Sequence, residues 1–475
     1  MTKYLIYLIL ALAFFLRFYR LDSNPSSLYW EEAALGYDAY SILKTGKDFH
    51  GNFLPLVAFE SFGDYKPSLY FYAAVPSIAI FGLNEFAVRF PSALFGTLTV
   101  LLVYFLGLKI RNWKLGITAA LLLAISPWHL QFSRAAFEAN LGLFLTVLGF
   151  FWSPALALSM YAYHANRIFA LLLFLVLAAT GRIKNFWLSS LVFLILILPL
   201  LWQLNSPLIR QRFNETSAFA TLEPILRSNE LIAADGGGRL AKIIHHRYWQ
   251  YSRIFLTNYF NHFNFNYLFL SGDSNPRHSV QSVGYLYLIQ FPFLIYGLLL
   301  SLKRHNKLDL LLLAWLFLAP IPAALTLASP HGLRSLSMII PLTIITAIGL
   351  TRFKKIFLII LLLELGHYLY VYYQIYPAKW ASVWQAGYKP MIQSVVAKQA
   401  QYDHVYITRA LGRPSIYYWF YTQTDPRLVQ ALNNSVPKDQ GEYLEFGKIK
   451  FQSDNYLPHS LIVTDEAGVF KIYEN

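Results

Sequence analysis

The sequence predicts an all-α polytopic membrane protein carrying a small C-terminal α/β domain. Three observations predict it. The 475 residues are 56% hydrophobic and 13% charged, with mean hydropathy +0.42, whereas soluble proteins carry about 25% charged residues. Long apolar runs recur through the first ~375 residues, as expected of helices that cross a bilayer. From residue 377 the composition turns polar, and short runs such as DHVYIT, SIYYWFYT and SLIVTDEAG alternate with turn residues, the pattern of a compact mixed domain.

The elements follow in order. The first apolar run, Tyr4 to Tyr19, has no small-residue cleavage site after it and reads as an uncleaved anchor. Further spanning helices are expected near 89–108, 115–131, 139–151, 153–165, 167–181, 186–204, 284–302, 308–327, 334–351 and 356–375, about 11 in all. The pair 139–151 and 153–165 is short for spans, which need about 17–25 residues, and is read as a hairpin turning near Trp152, Ser153 and Pro154. Leu69–Gly82 is also short and contains a proline; it reads as a helix lying at the outer surface.

Four basic clusters separate the apolar runs: Lys109–Lys114, Arg182–Lys184, Lys303–Lys307 and Arg352–Lys355. The positive-inside rule places all four in the cytoplasm. The N-terminus is then inside and the C-terminus outside a plasma membrane, with outer loops over about 21–88 and 205–283. Arg17 and Arg20 run against the rule on the outer flank of the first helix. The net charge of +14 is assigned to this loop bias and to anionic lipid or phosphate, not to nucleic acid. Absence of cysteine excludes disulfide and thiolate chemistry. The expected division is 1–376 as the membrane domain and 377–475 as an extracytoplasmic one.

Five charged features fall at outer helix ends or in outer loops under this topology: Glu31/Glu32, Asp64/Lys66, Arg134/Glu138, His164/Arg167 and His331/Arg334. Carboxylates that can act as bases then sit with cations that can hold a phosphate. Plainer roles are open for each. The acids suit the first turn of a helix, Lys66 can snorkel at an interface, and Arg134 and Glu138 are spaced for a helical ion pair. His245, His246, His262 and His278 in the second loop lack HExxH or paired-cysteine spacing, so no metal site is expected there.

The stretches YWEEAALGYDAYSILKTG, SFGDYKPSLYFY, NEFAVRFPSALFGTLTVLLVY and SPWHLQFSRAAFEAN resemble the family 39 glycosyltransferases, which include protein O-mannosyltransferases and to which the lipid A aminoarabinose transferases are similar. The resemblance covers about 1–200 and continues through YAYHANRIF and SPHGLRSL. It implies the C-type membrane glycosyltransferase fold and transfer of a sugar from a polyprenyl-phosphate donor to an acceptor hydroxyl on the extracytoplasmic face. The family's first-loop Asp-Glu motif falls on Glu31 and Glu32, which makes them the implied catalytic carboxylates; Glu31 is one methylene longer than the family's Asp. Lys66 matches the family's post-loop cation and Glu138 its second-loop carboxylate. Lys66, Arg134, Arg167 and Arg334 are the implied donor-phosphate ligands, with Asp64, Glu138, His164 and His331 lining the site. The implied partners are membrane lipid, the lipid-linked sugar and an acceptor that is protein, lipid or glycan; no nucleotide is needed, and a divalent metal is not expected but stays open. Two other classes stay open: a transporter or flippase of a lipid-linked substrate, and a catalytically inactive relative.

Overall fold

The computed structural model describes residues 4–203, 214–304, 306–350, 355–432, 436–451 and 455–475. Arg352–Lys354 of the fourth basic cluster lie outside the described residues. The chain divides into two compact units: Met1–Leu10, Thr99–His129 and Gly142–Gly366, and then Ala11–Leu98, Leu130–Leu141 and His367–Asn475.

The first unit is helical. Three helices among the described residues of the chain are long and apolar enough to cross a membrane: Glu85–Ile110, Lys307–Ala324 and Phe357–Lys379. A fourth span is reached by joining Trp113–Ile125 to Pro127–Ser133 across a 60° bend. That bend has a local cause. Ser126 precedes a proline and takes an extended conformation, φ −60 and ψ 126, which the proline ring favours over the helical one. Five of the other expected spans are present as shorter apolar helices: Leu5–Phe18, Glu138–Leu148, His164–Ala179, Phe186–Trp202 and Leu336–Leu350. The expected count of 11 is therefore not reached by helix length and composition.

The hairpin expected over 139–165 also differs. Its first limb is Glu138–Leu148, but its second is helical only over Pro154–Ser159, about 9 Å at 1.5 Å per residue. The turn itself is where the sequence put it. Lys109, Phe151, Trp152, Pro154, Arg182 and Lys184 line one pocket, and Lys109 Nζ donates to the carbonyl of Phe150 at 2.9 Å. Arg111 in turn binds Asp309 at 3.2 Å. The first three basic clusters thus gather at one end of this unit.

Packing inside the unit relies on close backbone approach. A Cβ on Gly297 would lie 1.9 Å from the carbonyl oxygen of Ile345, and one on Gly349 2.0 Å from that of Phe293. Helices Gln290–Arg304 and Ile339–Leu350 therefore cross with backbones in contact, the small-residue device that replaces hydrophobic drive between membrane helices.

The second unit holds residues 21–88, the loop expected to face outward, and the C-terminal segment. Helix Trp30–Thr45 ends on Gly46, left-handed at φ 70, whose N–H reaches the carbonyl of Ile42, a common helix stop. A two-stranded hairpin pairs Ala58–Ser61 with Asp64–Pro67. Its two turn residues, Phe62 and Gly63, both have positive φ (53 and 75), the turn that matches strand twist in tight hairpins. Helix Leu69–Phe81 follows, as the apolar pattern predicts.

The small sheet expected after 377 is present. Five strands run in the order Glu445–Phe446, Ile449–Lys450, His404–Ile407, Ser460–Glu466, Val469–Glu474, parallel at the centre and antiparallel at both edges. DHVYIT and SLIVTDEAG are strands, whereas SIYYWFYT lies in helix Pro414–Thr422, which packs on Trp30–Thr45. There the Tyr37 hydroxyl donates to the carbonyl of Thr424 at 2.9 Å and the Tyr417 hydroxyl to that of Leu28 at 2.9 Å.

Candidate active site

The first turn of helix Trp30–Thr45 presents its two acids to different surroundings. Consecutive helical residues point about 100° apart. Glu31 turns to the hairpin, where its Oε1 accepts from Lys66 Nζ at 2.7 Å and its Oε2 from the Tyr29 hydroxyl at 3.2 Å. Lys66 Nζ also lies 3.2 Å from Asp64 Oδ2. The register explains why two residues of one strand act together: Lys66 pairs with Phe59 and Asp64 with Ser61, so both side chains leave the same face. The Glu31 side chain keeps 36% of its surface exposed against 14% for Lys66. Glu31 is thus an accessible carboxylate with a cation at its side.

Glu32 turns inward and is fully buried. Arg89, also fully buried, binds it in fork geometry, Nε to Oε1 and Nη2 to Oε2, both at 3.0 Å. Glu32 Oε1 further accepts the Ala136 N–H at 2.7 Å, and Oε2 the Tyr29 N–H at 3.4 Å. Arg89 in turn donates to the carbonyls of Leu21, Pro25 and Ser27. This group pins the first loop. These bonds engage both oxygens of Glu32. The sequence reading missed Arg89, although NEFAVRF was in view, because its partner lies 57 residues away.

Arg134 is bonded as closely. Its Nη1 donates to the carbonyls of Leu16 and Arg17, its Nη2 to those of Tyr19, Arg20 and Asn24, and its Nε to the Tyr372 hydroxyl, at 2.6–3.3 Å. All three nitrogens are engaged, so the guanidinium caps the end of helix Leu5–Phe18 and offers no N–H to a phosphate. The helical pairing with Glu138 does not form on one helix either. Pro127–Ser133 stops before Arg134, and Glu138 opens the next helix. Arg17, which strained the charge rule, is fully buried and donates to the Ala13 carbonyl at 3.0 Å; it is a packed side chain and not a loop charge.

The other unit holds the remaining candidates. His164 opens helix His164–Ala179, and Arg167 lies one turn on, with Nε 3.5 Å from the carbonyl of Met160. Arg334 is half-buried, and its Nη1 donates to Thr326 Oγ1 at 2.7 Å. His331 belongs to a cluster the sequence did not reveal. Asp273 Oδ2 lies 2.7 Å from His278 Nδ1 and 4.0 Å from His331 Nδ1. Burial alone would raise the Asp273 carboxyl, but the hydrogen bond and charge of His278 outweigh that and hold it below the usual carboxylate range.

Residues 7–222 match the family model of the dolichyl-phosphate-mannose-protein mannosyltransferases. The resemblance to the family 39 glycosyltransferases is borne out. Among solved structures, ArnT from Cupriavidus metallidurans bound to undecaprenyl phosphate superposes with TM-score 0.52 at 12% identity, over 88% of this chain and 84% of that one. That likeness supports the C-type fold. The Archaeoglobus fulgidus oligosaccharyltransferase in its apo form gives TM-score 0.46 at 15% identity, over 96% of this chain and 62% of that one. No curated protein matches the chain.

Proposed function

We propose that the protein transfers a sugar from a polyprenyl-phosphate donor to an acceptor hydroxyl, with Glu31 as the base. The observation that carries this is the accessible Glu31 carboxylate held by Lys66 on a loop whose other acid is buried in an ion pair. The family match over 7–222 supports the donor class. ArnT was solved with undecaprenyl phosphate and the archaeal enzyme AglB with a dolichol-phosphate, which agrees with that class.

In the proposed step the acceptor O–H gives its proton to the Glu31 carboxylate. The oxygen bonds to the anomeric carbon as the bond from that carbon to the phosphate oxygen breaks. The transition state is oxocarbenium-like, as in other glycosyl chemistry. The polyprenyl phosphate leaves with the bonding pair, and a lysine such as Lys66 stabilises the charge that develops there. The phosphate role is also proposed for Arg167 and Arg334, each to be tested by its own alanine variant. Glu138 at its helix start, Asp64, His164 and His331 are proposed site-lining residues. An extracytoplasmic site, and residues 377–475 as a domain on that side, belong to the same proposal.

The test is turnover of purified protein with a panel of polyprenyl-phosphate sugars, measured alongside donor binding. Lys66→Ala is expected to weaken donor binding about 10- to 100-fold, because a charge-assisted bond is worth about 1.5–3 kcal/mol. Donor binding with no turnover of any sugar would instead favour an inactive relative.

A further inference from the structure

We propose that Asp273, His278 and His331 form a site for one divalent transition-metal ion, Zn²⁺ by donor type. The three residues come from two loops of one unit, and one donor atom from each lies within 4.8 Å of the others. Asp273 and His278 are buried.

The arrangement is more than a hydrogen-bonded Asp–His pair requires. One proton on His278 satisfies the 2.7 Å contact to Asp273 Oδ2. His331 Nδ1 stands 4.0 Å from the same oxygen, too far for a hydrogen bond. Its ring centroid lies 4.9 Å from that of His278, a costly place for a second imidazole if both were charged. A neutral imidazole is the form that ligates metal. A Zn²⁺ ion bound at about 2.0–2.2 Å from each donor sets donor pairs about 3.3 Å apart. The pairs now at 2.7 and 4.0 Å would change by about 0.6–0.7 Å, and the third, within 4.8 Å, by up to about 1.5 Å, to reach that spacing.

The surroundings are those of an oriented ligand set. Asp273 Oδ1 accepts the Asn275 N–H at 2.8 Å and Oδ2 the Gly332 N–H at 2.7 Å. The His331 backbone is fixed by its N–H to His262 Nε2 at 3.1 Å, and His262 Nδ1 is held by the carbonyl of Asn258 at 2.8 Å. These contacts hold the loop that carries His331, whose Nδ1 accepts the Arg334 N–H at 3.4 Å. The Arg334 guanidinium donates to Thr326 Oγ1 at 2.7 Å. One carboxylate and two imidazoles suit Zn²⁺, and three protein ligands leave a position for water or an anionic oxygen.

The experiment uses full-length protein in detergent, stripped with chelator and titrated with Co²⁺ and Zn²⁺. Wild type is expected to take up one equivalent of Co²⁺ with a visible ligand-field band that Zn²⁺ displaces, and Zn²⁺ should raise the Tm of the stripped protein. Asp273→Asn and His331→Ala should each weaken Co²⁺ binding at least tenfold, while His245→Ala, at an exposed pair with Asp235, should leave it unchanged. A wild type with neither the band nor a Zn²⁺-dependent Tm shift overturns the site, and needs no variant to fold. A band that survives both ligand variants places the metal elsewhere and also overturns it.

Discussion

Glu31 and Glu32 are neighbours in the chain and opposites in the fold. Replacing Glu31 by Gln removes the proton acceptor and keeps the volume. Turnover is expected to fall by about 10²–10⁴-fold, the contribution of a positioned base, with Tm nearly unchanged because the side chain is part-exposed. Glu31→Asp is expected to keep measurable activity, since it restores the acid found in the resembling family. Wild-type turnover in Glu31→Gln would remove Glu31 from the role. Glu32→Gln is expected to act on folding instead. Breaking one partner of a buried pair costs about 3–5 kcal/mol, so yield and Tm should drop. Arg89→Lys should not rescue stability, because a lysine cannot make the fork. The sequence made both acids legible but not their division of labour. Adjacent helical positions point apart by geometry, yet which side is core depends on Arg89, far along the chain.

At the scale of elements, the helix that carries Glu31 is held by the C-terminal segment. Gln385 Oε1 accepts the Trp30 N–H at 2.9 Å and the Tyr417 hydroxyl at 2.7 Å, and its Nε2 donates to the carbonyl of Leu411 at 2.8 Å. Gln385→Ala leaves the Trp30 N–H without its acceptor, while the Tyr417 hydroxyl keeps the Leu28 carbonyl, a cost of about 1–3 kcal/mol. If Gln385 positions Glu31, kcat should fall several-fold with KM for the donor little changed; an unaltered kcat in a protein of lowered Tm would make the contact structural only. The strands in DHVYIT and SLIVTDEAG were readable from alternation and turn residues. Helix Pro414–Thr422 was not, because its aromatic run suits a strand equally well. The metal cluster escaped for a related reason: its ligands lie 5 and 58 residues apart in sequence, with no motif spacing to announce them.

A buried histidine ties this unit's stability to pH. His50 is buried, and neither ring nitrogen has a hydrogen-bond partner. Burial, with Lys438 adding to it, pushes its pKa from 6.5 down to about 3. Glu60 Oε1 is 3.9 Å away, but its own carboxyl is raised by burial, which weakens it as a counter-charge. The Tyr443 ring packs alongside. The folded pKa lies below the unfolded one, so the stability is fully present above about pH 6.5 and is lost as pH falls toward 3. Between pH 7 and pH 5 the loss is of order 1–2 kcal/mol. Asp38, Asp48 and Glu60 are all raised, chiefly by burial, and act in the opposite direction on acidification. The readout is therefore a difference: His50→Phe should flatten the fall of Tm between pH 7 and 5 relative to wild type. Parallel curves for the two proteins would exclude His50 as the cause.

For the molecule as a whole, the sequence carried the fold class and the resemblance through composition, loop charge and motif order. It did not carry the depth of each helix. Apolar length alone cannot tell a full span from a limb such as Pro154–Ser159, which is six residues long. Charge parity did survive this. The chain returns at residues 150–154 to the end of its unit that also holds Lys109, Arg182 and Lys184, and Arg111 meets Asp309 there. A single uninterrupted helix over 139–165 would have put Arg182–Lys184 at the far end. Basic loops stay on the cytoplasmic side of a membrane, so this end is predicted to be cytoplasmic. The chain has no native cysteine, so single cysteines report sidedness without background. Cysteines placed after Lys114, Lys184 and Lys307 should be protected from an impermeant thiol reagent in intact cells and react on permeabilisation. One placed after Asn475 should react in intact cells. If the Asn475 site is protected while the three loop sites react, the orientation is reversed. If the three loop sites disagree among themselves, the shared end itself is wrong, and with it the hairpin reading of 138–163.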